Sequence, residues 1–471
     1  MSFSRRTFLL GAGSGLSLLV LTACTEPTPA PKPTASARPP ALVPKPSSFA
    51  RSNWTGDPYA RGATSYLRVG ALPQARATLR EPLLDRVFLA GEALADEPGT
   101  VRGALESGAS TARRLLEVAG DSERIAVIGA GAAGAEAARV LASWGRDVVV
   151  IEARNRTGGR IDSRSTAADG SEGTSVELGA WRLTEVADEE LISRLGRAGV
   201  EVVPLVGPTA FGADELVELP ADDTGRATVA TALAAAFAWA QQQPTDLSIA
   251  DAVEQSGALP DDPESTRVLQ QLLAELAATT GVEPADATSF FTTQQLGEAV
   301  LVPTGPLVAL VDDALDGVEP VLSTVVVGVF YDDDRVSLRL GTGESLSVDR
   351  VILTVPLGVL QKQSIEFDPP LPLLHRSALE QLSVGAAEVV VLDYDEPFWS
   401  TEAVLWFSED AEAAVRLWVN LQPLTGQSTL VGLVGGDPAV ALTDLDDSEL
   451  LSAALAALEP FVAAATPPQA N

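Results

Sequence analysis

The stretch RIAVIGAGAAGAEAARVLASWGRDVVVIEA, residues 124–153, decides the fold of this 471-residue chain. It predicts a short β-branched strand from Arg124, a Gly-x-Gly-x-x-Gly turn, an Ala-rich helix to about Trp144 and a second strand that ends at Glu152. This order is typical of a dinucleotide-binding βαβ unit. The sequence therefore predicts an α/β fold that contains a Rossmann-type domain.

Three glycines and one acid of this stretch have defined tasks in a dinucleotide site. Gly129 permits the tight turn after the strand, Gly131 lets the backbone approach a pyrophosphate, and Gly134 lets the helix pack closely on the strand. The helix N-terminus offers unpaired N–H groups and a partial positive charge to phosphates. Glu152 can accept hydrogen bonds from ribose hydroxyls. The pattern predicts a dinucleotide site without distinguishing NAD from FAD.

The composition narrows the chemistry that the protein can perform. The chain is long enough for two domains, and 46% of its residues are hydrophobic, as in ordinary globular proteins. A net charge of −32 repels phosphates, so we expect no nucleic-acid partner. The single Cys and single His exclude a disulfide framework, a zinc cluster and most nucleophile–histidine pairs. We therefore expect no metal, and a bound cofactor that carries the difficult chemistry.

The N-terminal residues predict a targeting signal rather than a folded element. Arg5 and Arg6 precede an apolar run that is too short and too rich in Gly and Ser for a membrane span, and the SRRTFL motif resembles a twin-arginine export signal. The LTAC motif resembles a lipobox, which predicts a signal at 1–23 and Cys24 as a lipid-modified first residue; the alternative is an incidental thiol. Residues 24–47 predict a semi-extended, Pro-rich tether. These patterns predict an exported lipoprotein on the extracytoplasmic face of the cell membrane, attached only through Cys24.

The continuation EARNRTGGRIDS (152–163) carries the first family resemblance. Its two glycines permit close backbone approach, and Arg160 supplies a fixed cation for a pyrophosphate. Here the chain resembles the FAD-dependent amine oxidases, which include monoamine and polyamine oxidases, L-amino acid oxidases and tryptophan monooxygenases. The resemblance continues in family order through VELGAWRL (176–183), VPTGPLVALVDDALDG (302–317), VDRVILTVPLGVLQKQSIEFDPPLP (348–372) and VVVLDYDEPFW (389–399).

The resemblance implies FAD as the cofactor and a Rossmann-type FAD-binding domain interleaved with a substrate domain. Glu92 would approach the ribityl–phosphate region. A helix that starts near Thr100 would direct free N–H groups at the flavin, where the reduced ring carries negative charge; the alternative is an ordinary amphipathic helix. The cofactor-binding residues that the resemblance and the fingerprint imply are Gly129, Gly131, Ala132, Ala133, Gly134, Glu152, Ala153, Arg154, Gly159, Arg160, Gly179, Ala180, Trp181, Val326, Gly91, Glu92, Thr100 and Val101.

The order of the motifs departs from that of the family. Family members finish with a W-x-x-D-P-x-x-x-G-x-x-Y stretch, an AGE element and a helix, whereas here SNWTGDPYARGATSY (52–66) and RVFLAGEALADEPGTVRGALESG (86–108) precede the fingerprint. The sequence therefore predicts a circular permutation; an erroneous gene assembly or a fused fragment is the alternative. We predict an FAD-binding domain at 76–185 and 300–358, and a substrate domain at 48–75, 186–299 and 359–471.

Substrate-side residues also depart from the family pattern. Arg182 falls where L-amino acid oxidases and tryptophan monooxygenases have an Arg that clamps the substrate carboxylate, a catalytic-site role suited to its planar fork; the alternative is an Arg at the surface or beside the pyrophosphate. Thr64 (or Ala63) and Thr100 fall at the positions of the family's aromatic cage. Val389 falls where the family has a lysine that holds a water near flavin N5 and is associated with reoxidation by oxygen.

Three functions follow from these residues. The first is FAD-dependent oxidation of an amine or L-amino acid by hydride transfer from the substrate Cα to flavin N5, and Arg182 favours it. The second is an FAD-binding protein with lost or altered oxidase activity. The third is a flavoprotein that acts on a non-amine substrate. Val389 and the missing cage favour the second and third over a standard monoamine oxidase.

Overall fold

The described part of the chain begins at the end of the predicted tether. The computed structural model describes residues 43–72, 74–165, 175–185, 187–212, 216–220, 224–289 and 300–463. These residues lie within one compact unit, Ala41–Asn471. The predicted export signal, Cys24 and residues 24–42 of the predicted tether lie outside the described residues.

The described residues form 22 strands and 13 α-helices. The strands are β1 (Ser48–Arg51), β2 (Thr64–Leu67), β3 (Val87–Leu89), β4 (Arg124–Ile128), β5 (Asp147–Ile151), β6 (Ser163–Ser165), β7 (Ser175–Glu177), β8 (Leu183–Thr184), β9 (Val202–Pro204), β10 (Thr209–Gly212), β11 (Leu216–Leu219), β12 (Val300–Pro303), β13 (Val326–Tyr331), β14 (Val336–Leu340), β15 (Ser345–Val348), β16 (Arg350–Leu353), β17 (Glu366–Asp368), β18 (Leu382–Gly385), β19 (Ala387–Asp393), β20 (Leu405–Ser408), β21 (Leu417–Asn420) and β22 (Thr429–Gly435). The helices are α1 (Ala75–Arg80), α2 (Val101–Val118), α3 (Ala132–Ser143), α4 (Glu189–Arg197), α5 (Thr224–Ala240), α6 (Ile249–Ser256), α7 (Pro263–Thr280), α8 (Ala309–Ala314), α9 (Leu357–Gln361), α10 (Leu373–Gln381), α11 (Gln422–Thr425), α12 (Asp437–Leu442) and α13 (Asp447–Ala463).

A four-stranded parallel sheet in the order β3-β16-β4-β5 forms the centre of the dinucleotide-binding region. The predicted strand–helix–strand unit is present as β4, α3 and β5. Ile125, Ala126 and Val127 of β4 are fully buried, because helices and neighbouring chain cover both faces of a parallel sheet. The sheet therefore presents the carboxyl ends of β4 and β5 at one edge, where a ligand binds in folds of this kind.

Helix α2 packs against α3 although it precedes the fingerprint in the chain. A Cβ placed on Gly108 of α2 would lie 2.0 Å from the carbonyl oxygen of Ala133, so the absence of a side chain there lets the two helices approach. Strand β3, from the same N-terminal block, pairs in parallel with β16. Only residues 119–123 separate the end of α2 from β4.

A seven-stranded sheet in the order β1-β19-β22-β21-β20-β10-β11 forms the second large layer. Along each of its strands the side chains belong alternately to two apolar clusters, because successive side chains point to opposite faces of the sheet. Val389 and Val391 of β19 belong to the cluster that includes Leu272 of α7. Val390 belongs to the opposite cluster, in which Val43 lies with residues of α13.

The mixed α/β architecture confirms the predicted fold class. All strands of the parallel sheet come from the segments predicted to bind FAD, and all strands of the seven-stranded sheet come from those predicted to form the substrate domain. The domain boundaries themselves stay a prediction. Across the described ranges, no helix is long and apolar enough to cross the bilayer.

Candidate functional site

A cavity of about 410 Å³ lies between the parallel sheet, helix α2 and strand β19. Among the predicted site residues, Gly134 is the exception that does not line it. Those that do are Gly91, Glu92, Thr100, Val101, Gly129, Gly131, Ala132, Ala133, Glu152, Ala153, Arg154, Gly159, Arg160, Gly179, Ala180, Trp181, Arg182 and Val326.

The three fingerprint glycines serve three different purposes in the turn between β4 and α3. Gly129 has φ +105°, a conformation that other residues rarely adopt, and a Cβ there would lie 2.6 Å from Thr354 Oγ1. A Cβ on Gly134 would lie 1.8 Å from the carbonyl oxygen of Gly129, so this glycine permits helix-to-strand packing. The atoms nearest to a Cβ on Gly131, in Gly158 and Gly159, would lie 3.7 Å away, so the space in front of Gly131 is left for a ligand.

Glu152 lies at the end of β5 with its carboxylate held by the backbone. The N–H of Ala130 donates to Oε2 and the N–H of Arg154 donates to Oε1, both at 2.8 Å. The side chain is buried yet lines the cavity. Because an ionised carboxylate can accept about four hydrogen bonds, Glu152 keeps acceptor capacity for ribose hydroxyls.

Arg160, in the loop after β5, ties this loop to the N-terminal block. Its Nη1 donates to the carbonyl oxygen of Ala63 at 2.6 Å and to Glu92 Oε1 at 2.9 Å. Gly158 and Gly159, with φ of +93° and +61°, bring the loop backbone against the fingerprint turn. The predicted GGR cation therefore lies on the cavity wall, paired with the acid of the AGE motif.

Glu92 is the buried centre of a hydrogen-bond network. Ser65 Oγ and the N–H of Gly99 donate to its Oε2 at 2.8 and 2.9 Å, and Arg160 donates to Oε1. Burial by itself would raise the pKa of Glu92, but the charge of Arg160, the hydrogen bonds from Ser65 and Arg160 and the charge of Arg76 outweigh it and hold this pKa below its ordinary value. The carboxylate therefore stays charged and fixes the loop that leads into α2.

Helix α2 directs its N-terminus into the cavity, as the sequence predicts. Thr100 is the N-cap residue, and its Oγ1 accepts a hydrogen bond from the N–H of Gly103 at 2.9 Å. Thr100, Val101 and Ala104 line the cavity. The first N–H groups of an 18-residue helix thus lie where negative charge on a ligand would be stabilised.

Apolar and cationic side chains meet at another part of the wall. Trp181, Arg182, Thr279 and Val389 all line the cavity. Arg182 Nη1 donates to Thr279 Oγ1 at 3.2 Å, and Thr279 in turn donates to the carbonyl oxygen of Glu275 within α7 at 2.7 Å. The guanidinium is thereby held beside the C-terminal end of α7.

The positions that resemble the aromatic cage also lie on the cavity wall. Ala63, Thr64 and Thr100 line the cavity, so small side chains occupy these positions. The Oγ1 of Thr64 donates to the carbonyl oxygen of Thr280. This contact joins the N-terminal block to the end of α7.

Part of the cavity wall was not predicted from the sequence. Trp54, Pro58, Tyr59 and Arg61 line the cavity from the N-terminal block, and Glu388 lines it from β19. The W-x-x-D-P motif was the available signal for the first four, since family order places it beside the AGE element. No local pattern marks Glu388, whose partners lie more than 300 residues away.

The residues present fit an extended dinucleotide. The cavity wall includes two helix N-termini, those of α2 and α3, a bare backbone at Gly131, a carboxylate at Glu152 and a cation at Arg160. The α3 N-terminus, the bare backbone at Gly131 and the cation of Arg160 suit a pyrophosphate. Glu152 suits a ribose, and the α2 N-terminus suits an electron-accepting ring. Within the described ranges, no group of three or more His, Cys, Asp or Glu side chains is arranged to hold a metal ion.

Comparison with known proteins agrees with this geometry. A family model for flavin-containing amine oxidoreductases matches residues 35–116 and 132–470. The chain is 28% identical to polyamine oxidase 3 of Oryza sativa over 73% of this chain and 74% of that protein, and 26% identical to human lysine-specific histone demethylase 2 over 76% of this chain and 45% of that protein. A putrescine oxidase bound to putrescine has a TM-score of 0.56 at 20% identity, covering 74% of this chain and 83% of that one. Cyclohexylamine oxidase from Brevibacterium oxydans has a TM-score of 0.56 at 19% identity, covering 73% and 82%.

Proposed function

This chain belongs to the flavin-containing amine oxidoreductase family, and we propose that it oxidises a small amine or an L-amino acid at the carbon atom that bears the nitrogen. The protein is an FAD-dependent oxidoreductase, and the polyamine oxidases among its relatives support a small-molecule amine as its substrate. Which amine it oxidises is the subject of the proposal. When bound, FAD supplies the acceptor for the hydride that leaves the substrate carbon.

One observation supports the proposal above all others. The cavity lined by Gly129 and Gly131 of the fingerprint is also lined by Trp181, Arg182, Thr279 and Val389. Trp181 and Val389 offer apolar surface to a substrate side chain. The planar fork of Arg182 suits a carboxylate, and its hydrogen bond to Thr279 restricts its orientation. A substrate that combines an amine, a carboxylate and an apolar side chain matches these groups best.

Other residues of the chain prepare the site for this chemistry. Glu152 and the α3 N-terminus would orient the nucleotide half of FAD, and Arg160 with Glu92 would fix the middle of the cavity wall. The α2 N-terminus, capped by Thr100, would stabilise negative charge on the ring that accepts the electrons.

Anaerobic mixing of the purified holoprotein with matched substrate pairs tests the proposal. Each pair consists of an L-amino acid and the amine that its decarboxylation yields, and the readout is loss of the oxidised-flavin absorbance. We expect at least one pair to reduce the flavin, with the amino acid faster than its amine. Reduction by dithionite but by no member of a broad panel would contradict the proposal.

A second candidate function is supported by Val389 and by the small side chains at Thr64 and Thr100. An FAD-binding member with lost or altered oxidase activity, or one acting on a non-amine substrate, would need neither an aromatic cage nor a polar group at position 389. The same anaerobic experiment separates these readings, because such a protein would hold FAD that amines leave oxidised.

We also propose that the chain is a circular permutation of the family order. The AGE block, β3 and α2 precede the fingerprint in the chain, yet β3 pairs with β16 and α2 packs on α3. Val43 and Phe461, close to the two ends of the described chain, belong to one apolar cluster, so a short connection could join the ends. A gene recut within 119–122, with its old ends joined, should fold and bind FAD; failure of the recut chain to fold would contradict the proposal.

We propose that the mature protein is exported and held at the membrane through Cys24. The twin-arginine and lipobox motifs and the tether that follows them support this. The wild type should then appear in the membrane fraction and Cys24→Ala in the soluble exported fraction. Equal partition of the two proteins would contradict lipid attachment.

A further inference from the structure

A loop of residues 52–62, which we call the strap, crosses one side of the cavity. Trp54, Pro58, Tyr59 and Arg61 of the strap line the cavity wall. The loop is closed on itself, because the N–H of Gly62 donates to the carbonyl oxygen of Trp54 at 2.9 Å. The strap follows directly on β1, the first strand of the described chain.

Glu388, on β19, holds the first residues of the strap with one carboxylate. Its Oε2 accepts hydrogen bonds from Ser52 Oγ at 2.5 Å and from the N–H of Trp54 at 3.0 Å, and its Oε1 accepts one from the N–H of Thr55 at 3.0 Å. Ser52 Oγ also accepts a hydrogen bond from the N–H of Val389 at 2.8 Å. Only 3% of Glu388 is exposed, so water cannot readily replace these bonds.

Two side chains of the strap make further contacts away from β19. Trp54 Nε1 donates to the carbonyl oxygen of Leu178 at 2.8 Å. Asp57 pairs with Arg154 at 2.8 Å between Oδ2 and Nη2, and the Arg154 guanidinium lies 5.5 Å from the centre of the Tyr59 ring. The strap therefore connects β19 to Arg154, which follows β5 of the dinucleotide-binding region.

We propose that Glu388 is a positioning residue that holds the strap across the cavity and thereby sets how slowly FAD is released. The carboxylate holds Trp54 and Thr55 of the strap, Ser52 is also bonded to Val389 through its own N–H and hydroxyl, and Trp54 Nε1 and Asp57 bond to Leu178 and Arg154. Loss of the Glu388 contacts leaves two backbone N–H groups and a hydroxyl without their acceptor beside the cavity. The strap from Trp54 onward then loosens from β19, while the bonds between Ser52 and Val389 and the two sheets remain.

Glu388→Gln tests this with the smallest change of shape. An amide has one acceptor oxygen, and its NH₂ group faces an N–H donor of the strap, so at least one of the two N–H groups loses its partner. We expect Glu388→Gln to release FAD about tenfold faster than the wild type, the effect of one lost hydrogen bond to a charged group. The release rate is measured as the rise of free-flavin fluorescence after dilution of the holoprotein.

Asp393→Asn serves as the matched control. Asp393 lies on the same strand, accepts a hydrogen bond from Thr429 Oγ1 at 2.6 Å and makes no side-chain contact to the strap among the described contacts. We expect Asp393→Asn to release FAD at the wild-type rate. The thermal midpoint of each apoprotein is measured in parallel, so that a general loss of stability is separated from strap opening.

Two outcomes would overturn the proposal. One is a Glu388→Gln release rate that matches the wild type or Asp393→Asn. The other is that Glu388→Gln and Asp393→Asn both release FAD faster, each in proportion to the fall in the thermal midpoint of its apoprotein. If Glu388→Gln does not fold, Ser52→Ala decides: it keeps the carboxylate but removes the hydroxyl that donates to Glu388 and accepts from the N–H of Val389, and wild-type release would then refute the proposal.

Discussion

Glu177→Gln should make the protein more stable than the wild type at alkaline pH. Glu177 lies on β7 and is 8% exposed. Burial raises its pKa from 4.5 to about 7; the hydrogen bonds from the N–H of Leu307 and from Ser163 oppose this, and the charge of Asp162 adds to it. Between these two values the unfolded chain loses a proton that the folded chain keeps, so stability falls as pH rises through this window.

The size of the effect follows from the two pKa values. The difference between 4.5 and about 7 corresponds to roughly 3 kcal/mol of unfolding free energy, present in full below pH 4.5 and lost above pH 7. A glutamine has no such titration. Its oxygen can accept from the N–H of Leu307, now at 2.9 Å from Glu177 Oε1, and its NH₂ group can donate to Ser163 Oγ.

Urea unfolding at a series of pH values from 4.5 to 8.5 measures this difference. The free energy of unfolding of Glu177→Gln minus that of the wild type should rise by roughly 3 kcal/mol across the series. A flat difference for Glu177→Gln, or one that falls with pH, would refute the reasoning.

Three further predictions concern the cavity. Arg182→Ala should weaken flavin reduction by an amino acid by about 2–5 kcal/mol in binding, with partial rescue in Arg182→Lys, while reduction by the matched amine changes little; equal losses in the rapid-mixing traces would assign Arg182 to the fold. Val389→Lys should speed reoxidation of the flavin by oxygen, measured after reduction with dithionite so that no substrate is involved, and an unchanged reoxidation rate would rule out that position. Arg160→Gln should raise the pKa of Glu92 and cost roughly 3 kcal/mol of unfolding free energy at pH 7, measured by denaturation, because it removes the stronger of the two cations, Arg160 and Arg76, that stabilise this buried carboxylate.

Local motifs made the dinucleotide-binding region predictable. The β4–α3–β5 unit is contiguous in sequence, and the tasks of Gly129 and Gly134 depend on backbone geometry within that unit. Gly134 still differs from the other predicted site residues: it acts through its contact with the carbonyl oxygen of Gly129 and lies off the cavity wall. The family resemblance added Glu92 and Arg160, which are distant in the chain but belong to quoted motifs.

Contacts between residues that lie far apart in the sequence and belong to no recognised motif could not be predicted. The hydrogen bonds between Glu388 and the strap join residues more than 330 positions apart, and an acid that precedes three valines has no periodicity that indicates a buried partner. The pairing of Arg154 with Asp57 and of Arg182 with Thr279 likewise depends on how the layers pack. Such contacts are set by tertiary structure, which the pattern of one segment does not contain.

The central claim is that the cavity beside the fingerprint turn holds FAD, and FAD binding to Gly131→Val tests it most directly. Gly131 has φ −81° and ψ −176°, so valine fits the backbone, and a Cβ there meets only ordinary contacts at 3.7 Å. The valine methyl groups would therefore occupy ligand space without disturbing the fold. We predict that titration of the wild-type apoprotein gives one FAD per chain and that Gly131→Val keeps its circular dichroism spectrum but binds no FAD. A folded Gly131→Val that takes up FAD with wild-type affinity would contradict the claim.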